Sequence, residues 1–140
     1  MKLQIIRDQS EKIEGYKSVL ATNFMPPSVE DVIDNSCELI SLSDSLDLYP
    51  NETRNNILVS MLKKLRLNGE IFVSGSEPRA LCKMYINGGI GTEVFSSVLK
   101  DNNSVIEIDQ AISILEQLGL SVETSSINGY KYEIRARRVN

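Results

Sequence analysis

The clearest pattern of apolar and polar positions runs from Ser36 to Gly75, SCELISLSDSLDLYPNETRNNILVSMLKKLRLNGEIFVSG. Cys37 to Leu42 is dense in apolar residues and predicts a central strand. After an acidic loop, Ile57, Leu58, Met61, Leu62 and Leu65 recur at helical spacing on one face. Asn51, following Pro50, is placed to cap that helix. Lys63, Lys64 and Arg66 crowd its last turn, where cations suit the negative helix end, and Gly69 is expected to stop it. Glu70 to Gly75 reads as a second buried strand. A helix between two apolar strands with short connections is a βαβ unit, so the strands should be parallel and the crossover right-handed.

The pattern is weaker upstream. Leu3 to Ile6 predicts a first strand and Tyr16 to Ala21 a second; Pro26-Pro27 then interrupts regular structure, and Ser28 is placed to cap a helical turn reaching Ile33. Downstream, a helix is expected from Pro78 to about Asn87, and a turn at Gly88-Gly89. Next comes a helix opened by Thr92, with Val94, Phe95, Val98 and Leu99 as its apolar face. A further helix from about Asp109 carries Ala111, Ile112, Leu115 and Leu118 and ends at Gly119. Leu120–Ser125 and Tyr130–Arg137 alternate at period two around Ser126-Ile127-Asn128-Gly129, which predicts an antiparallel hairpin.

Composition narrows the classes. The chain has 140 residues, 41% apolar and 24% charged, which fits one domain over residues 1–140 and carries no disorder signature. No apolar run is long enough to span a bilayer and no signal pattern opens the chain, so neither a membrane nor export is expected and the reading is cytoplasmic. A net charge of −4 disfavours nonspecific nucleic-acid binding. Lys131, Arg135, Arg137 and Arg138 form a local basic cluster. Arg135 and Arg137 alternate with Ile134 and Ala136, which reads first as a solvated strand face and second as a site for an acidic ligand.

The absence of histidine excludes Ser-His-Asp and Cys-His catalysis in their usual form and removes the commonest metal ligand, so no metal site is expected. Cys37 and Cys82 are too far apart in sequence for a CxxC motif. Both read as small core residues of a reducing compartment.

Parallel elements that end in an antiparallel hairpin, with Asp44-Ser45-Leu46-Asp47-Leu48 after the central strand and Leu65-Arg66-Leu67-Asn68-Gly69 before the next, resemble the class I S-adenosylmethionine-dependent methyltransferases over roughly residues 35 to 137. The first stretch is similar to that family's xVLEH and the second to its LKPGG. Short methyltransferase-like proteins of phage and bacterial reading frames are a closer likeness, through their DNSxxEI, LRxGGxI and INxYxxxxxAxR. Here Asp34-Asn35-Ser36-Cys37-Glu38-Leu39-Ile40, and Ile127-Asn128-Gly129-Tyr130 with Ala136-Arg137, stand in those places.

The resemblance implies an α/β fold with a Rossmann-like, doubly wound mixed sheet ending in a C-terminal antiparallel hairpin, and S-adenosylmethionine as cofactor. A full set of strands, helices and loops of ordinary length would need about 170 residues. The third strand and some helices are therefore expected to be missing. One flank of the sheet would be thinly covered, which points to a homo-oligomer, in the first place a dimer.

In open α/β sheets ligands sit beyond the carboxyl ends of the strands where strand order reverses. The resemblance thus makes Arg7, Asp8, Asn23, Ser43, Asp44 and Ser45 the candidate cofactor-binding residues, with Asp47 in the same loop, and Asp44 or Tyr85 a candidate base. Loop and cap roles are the plainer reading of the serines and acids. The family's glycine-rich loop after strand one is replaced by Arg7-Asp8-Gln9-Ser10, with no glycine before Gly15, and Thr22-Asn23 stands where the family has an acid. Gly88-Gly89-Ile90-Gly91 follows a helix, lacks the lysine of a phosphate loop and reads as a helix-to-helix turn, with Met84, Tyr85 and Phe95 either core or part of a substrate cover. Two functions stay open: a small methyltransferase-like protein, and a noncatalytic assembly module, for instance a phage or complex component, that keeps the fold.

Overall fold

In chain order the elements are β1 (Lys2–Ile6), β2 (Lys17–Leu20), β3 (Cys37–Ser43), α1 (Asn51–Lys64), β4 (Leu65–Ser76), α2 (Pro78–Ile86), α3 (Thr92–Asp101), α4 (Ile108–Gln117), β5 (Leu120–Asn128) and β6 (Lys131–Arg138). Short 3-10 turns follow β1 at Gln9–Glu11 and β3 at Ser45–Leu48. The structure, a computed structural model, describes all 140 residues. Its six strands form one sheet in the order β2-β1-β3-β4-β6-β5. β2, β1, β3 and β4 run parallel, and β6 enters antiparallel between β4 and β5. This is the doubly wound mixed sheet with a terminal hairpin that the sequence predicts.

Strand alternation decides the layers. Leu3 and Ile5, Ile40 and Leu42, Ile71 and Val73, and Tyr132, Ile134 and Ala136 share one face and are all buried. Against them pack Ile57, Leu58 and Met61 of α1, Ala111 and Leu115 of α4, and Leu46, Leu48 and Tyr49 from the turn after β3. The opposite face carries Ser18, Gln4, Ser41, Phe72 and Arg135 in one row across five strands. Near β1 the segment around Glu11–Ile13 covers this second face. Gln4, only 3% exposed, donates to Glu11 O at 3.2 Å and accepts from Ile13 N at 2.7 Å, so its amide is satisfied by backbone.

Several local expectations are corrected. α1 ends at Lys64, and Gly69 lies inside β4, within a bulge that sets Leu65 opposite Cys37 and Glu70 opposite Leu39. A Cβ at Gly69 would come 2.7 Å from Leu65 Cδ1 and 2.8 Å from Arg66 O, so glycine is needed for close packing in the bulge and does not stop the helix. Asn51 is the first helical residue, Pro50 is the N-cap, and no side chain caps that end. Ser28–Ile33 forms a turn, closed by Val32 N donating to Val29 O, where the sequence suggests a helical turn. Thr92 is likewise the first residue of α3, with Gly91 at the cap. Cys37 is buried as expected, but Cys82 lies on the outer side of α2 and is exposed. The hairpin is tighter than the alternation implies, since β5 continues to Asn128 and only Gly129 and Tyr130 make the turn.

Candidate functional site

Strand order reverses between β1, which is flanked outward by β2, and β3, which is flanked outward by β4. Over the carboxyl ends of these strands lies an open cleft of about 510 Å³. Its floor is built by the residues that leave the strands: Arg7 after β1, Asp44 after β3, Ser76 at the end of β4, and Tyr130 and Lys131 where β6 begins. Its roof is α3, which presents Val94, Val98 and Asp101 at i, i+4 and i+7, together with Glu93 and Ser97.

Asp44 is the first residue beyond β3 and is held at φ 59°, a left-handed conformation uncommon outside glycine and asparagine or aspartate. Its backbone N–H donates to Ser74 O at 3.1 Å, and its Oδ1 accepts from Ser74 Oγ at 3.3 Å. Its Oδ2 accepts from Lys131 Nζ at 2.7 Å. Burial works to lower the Lys131 ammonium pKa, but the hydrogen bond and charge of Asp44 outweigh it and hold it above its ordinary value. Both side chains remain partly exposed, so the pair is worth about 1 kcal/mol at most. Its importance is that it fixes one anion and one cation on the cleft floor.

Arg7 reaches across the cleft. Its guanidinium donates to Asn102 Oδ1 at 2.9 Å, Asp101 O at 3.0 Å and Asp44 O at 3.4 Å, tying the end of β1 to the end of α3. Beneath the floor, Asp47 and Arg54 pair at 3.0 Å with both side chains 1% exposed. Asp47 Oδ2 also accepts Ser76 N at 2.8 Å, which fixes the end of β4, and its backbone oxygen accepts Asn103 N and Ser104 N at 2.8 and 3.2 Å, which pin the chain beyond α3.

Of the residues predicted for the site, Arg7 and Asp44 line the cleft. Asp8 is turned away, its Oδ1 accepting Ser10 N at 2.8 Å, and that bond holds its carboxyl below the usual range. Asn23 is exposed in the loop after β2 and does not line the cleft. Ser43 lies beside Ser41, Oγ to Oγ 3.4 Å, and Ser45 is buried, 1% exposed, in the turn after β3. Tyr85, the alternative base, stacks on Phe95 at 4.4 Å and pairs with Thr92 Oγ1 at 3.2 Å, between α2 and α3 and outside the cleft lining. Met84 is half-buried on α2 and faces a second surface pocket beside Ile127.

The sequence marks Val94 and Val98 only as the apolar face of this helix and does not point to Glu93, Ser97 or Asp101, yet all five line the cleft. It also grouped Lys131 with Arg135 and Arg137. The latter two do sit on the solvated face, paired with Glu70 and Glu123, while Lys131 turns into the cleft.

No protein-family profile matches the chain, and no curated protein does either. Solved structures match in fold. A SAM-dependent methyltransferase of Thermotoga maritima aligns at a TM-score of 0.60 and 13% identity, over 98% of this chain and 81% of its own. A SAM-dependent methyltransferase of Archaeoglobus fulgidus aligns at 0.60 and 12%, over 96% and 75%. One from Aquifex aeolicus aligns at 0.53 and 15%, over 90% of this chain, which spans only 56% of that protein's length. At these identities the likeness establishes the fold, that of the SAM-dependent methyltransferases.

Proposed function

We propose that the cleft over β1 and β3 binds S-adenosylmethionine and that the chain is a reduced methyltransferase-like protein. The observation that carries this reading is the donor set placed at the reversal of strand order, where open α/β sheets bind ligands. The amino-acid end of the cofactor is a zwitterion, and the cleft offers the guanidinium of Arg7 for its carboxylate and Asp44, Glu93 and Asp101 for its ammonium and hydroxyls. Val94, Val98 and Tyr130 supply an apolar wall for a base.

The donor set therefore fits the group, with Arg7 standing in for the backbone cradle that a glycine-rich loop would form. Bound S-adenosylmethionine supplies an electrophilic methyl group, and the protein's share of the chemistry is alignment of an acceptor and exclusion of water. Asp44 and Lys131 orient each other, Asp47 fixes Ser76, and α3 lines the cleft from above.

Isothermal titration of the folded protein with S-adenosylmethionine and S-adenosylhomocysteine tests this. Saturable binding is expected, weakened about tenfold or more in Arg7→Met and Asp44→Ala. No heat change at about 1 mM ligand would sink the reading.

A second reading, assembly through a dimer, is favoured by the free edge of β5. The other edge strand, β2, has four residues and carries Lys17, which blunts it. β5 from Thr124 to Asn128 is exposed and has neither lysine nor proline. Pairing with a second copy at this edge predicts a dimeric mass by sedimentation that Ile127→Pro, at a position whose N–H faces away from β6, reduces to the monomer. A monomer in the unsubstituted protein at about 100 μM would rule it out.

A further inference from the structure

Arg7 is half-buried, and all three of its acceptors, Asn102 Oδ1, Asp101 O and Asp44 O, are uncharged. Two of them sit at the carboxyl end of α3, where a cation suits the negative helix end. The bonds are adequate for a guanidinium but replaceable, because a carboxylate accepts about twice as strongly and takes two parallel bonds at once.

α3 is lightly tied to the rest of the molecule. It buries one residue, Val98, which stands outside the main apolar core, as does Leu81, the one buried residue of α2. Before α3, the joint Asn87–Gly91 includes Gly88 at φ +76°, and a Cβ at Gly88 or Gly91 would touch nothing. Beyond α3, Asn103 and Ser104 are pinned on Asp47 O, so any loosening is confined to the helix and its last turn. At that turn the bonds from Arg7 join α3 to the sheet.

We propose that Arg7 is an exchangeable latch: a ligand carboxylate entering the cleft takes its guanidinium from Asp101 and Asn102, and the last turn of α3 is released as the ligand seats. This rests on the reading that the cleft takes an S-adenosyl amino acid. The bonds from Arg7 thus hold the end of the roof in place and the ligand loosens it, in contrast to a lid that tightens on its substrate. In the exchange α3 loses two bonds and keeps Val98 as its anchor.

Hydrogen exchange of the amides from Val98 to Asn102 tests the latch, with S-adenosylhomocysteine and 5′-methylthioadenosine as probes. The second compound lacks the amino-acid carboxylate. S-adenosylhomocysteine at saturation is expected to speed exchange there about tenfold, and 5′-methylthioadenosine to bind without doing so. In Arg7→Met without ligand, exchange should already be fast, with Arg7→Lys between it and the unsubstituted protein.

Slower or unchanged exchange with bound S-adenosylhomocysteine, equal responses to the two compounds, or no change in Arg7→Met would overturn the latch. Failure of both compounds to bind at about 1 mM would instead overturn the cofactor reading and the ligand step with it. The hold of Arg7 on α3 would then be decided by the two Arg7 variants alone.

Discussion

The carboxylate of Asp47 accepts from Arg54 Nη2 at 3.0 Å, and neither side chain is more than 1% exposed. The same guanidinium nitrogen donates to Ser104 Oγ at 2.8 Å and Ser104 O at 3.2 Å, while Nη1 points to Tyr132 Oη at 3.5 Å. Four segments thereby meet at one buried charge pair: the turn after β3, α1, β6 and the chain before α4. Burial raises the Asp47 pKa, and the Ser76 amide and Arg54 only partly offset that rise. The sign follows from a raised folded-state pKa: Asp47's contribution is fully present below the unfolded carboxylate range and is lost as pH rises through the folded value, so at neutral pH its charge is a cost that Arg54 must offset.

Removing one partner leaves the other buried and uncompensated. Asp47→Ala and Arg54→Ala should each lower stability by about 3–5 kcal/mol in urea denaturation, and the double variant by less than the sum. Losses below about 1 kcal/mol in both single variants would show that the pair is not as dry as its burial implies.

Tyr132 shares this pocket and is fully buried; burial pushes its hydroxyl pKa up to about 12. Tyr49, also buried, is shifted in the same direction by burial, so two of the five tyrosines should titrate late in an ultraviolet titration. Because the folded-state pKa of Tyr132 is raised, its contribution is whole below the unfolded value of about 10 and is lost as pH climbs toward about 12. Stability measured across that window should fall in the unsubstituted protein and fall less in Tyr132→Phe. An unchanged slope in the variant would contradict the assignment.

Gly75 lies against both groups: a Cβ there would stand 2.8 Å from Asp47 Oδ1 and 2.8 Å from Tyr132 Oη. Neither neighbour is the loose end of an exposed side chain, so Gly75→Ala should cost about 1–3 kcal/mol by overpacking. The cost should shrink in the Tyr132→Phe background, which removes one of the two clashing oxygens. Equal costs in the two backgrounds, read from thermal or urea unfolding, would place the strain elsewhere.

Glu77 is 2% exposed and caps two helices at once. Its Oε1 accepts Arg79 N at 2.7 Å and Ala80 N at 3.3 Å at the start of α2, and its Oε2 accepts Ile108 N at 2.7 Å at the start of α4. Glu77→Ala orphans all three amides and should cost about 1–4 kcal/mol, the sum of two caps. Hydrogen exchange should quicken at Ile108 as well as at Ala80. Protection lost at α2 alone would mean that the bond to α4 is not held in solution.

These relationships mark where sequence reading stops. The β3-α1-β4 unit and the hairpin were legible because their periodicity runs through windows long enough to average out exceptions. The bulge at Gly69 was not, since a glycine after a helical run looks like a stop until the register of Leu65 against Cys37 is known. At the site, Arg7 and Asp44 were legible from their place beyond strand ends. Their partners were not: Lys131 is 87 residues from Asp44, and Asn102 is 95 from Arg7. Such pairs depend on strand order and register, which no local window contains. Asp8 and Asn23 were drawn in by the same strand-end rule, but a short side chain can turn back on its own loop, as Asp8 does on Ser10.

The alternation in β1 and β3 yields the last prediction. Parallel strands covered on both faces read as continuous apolar runs, yet here Leu3-Gln4-Ile5 and Ile40-Ser41-Leu42-Ser43 alternate, and the face bearing Ser41 and Phe72 stands outside the apolar core. Its charges are matched within the face: Arg135 lies over the Phe72 ring at 5.1 Å and pairs with Glu70 at 2.6 Å, and Arg137 pairs with Glu123. A face so composed is suited to water, and a second copy gains little by covering it. Leu42→Ala should therefore cost about 2–5 kcal/mol and Ser41→Ala less than about 0.5 kcal/mol, although the two residues are neighbours on one strand. Ser41→Asp should leave the sedimentation mass unchanged while Ile127→Pro alters it, if copies meet at the β5 edge. A mass change in Ser41→Asp would move the contact to the sheet face and refute the reading of that face as solvent-facing.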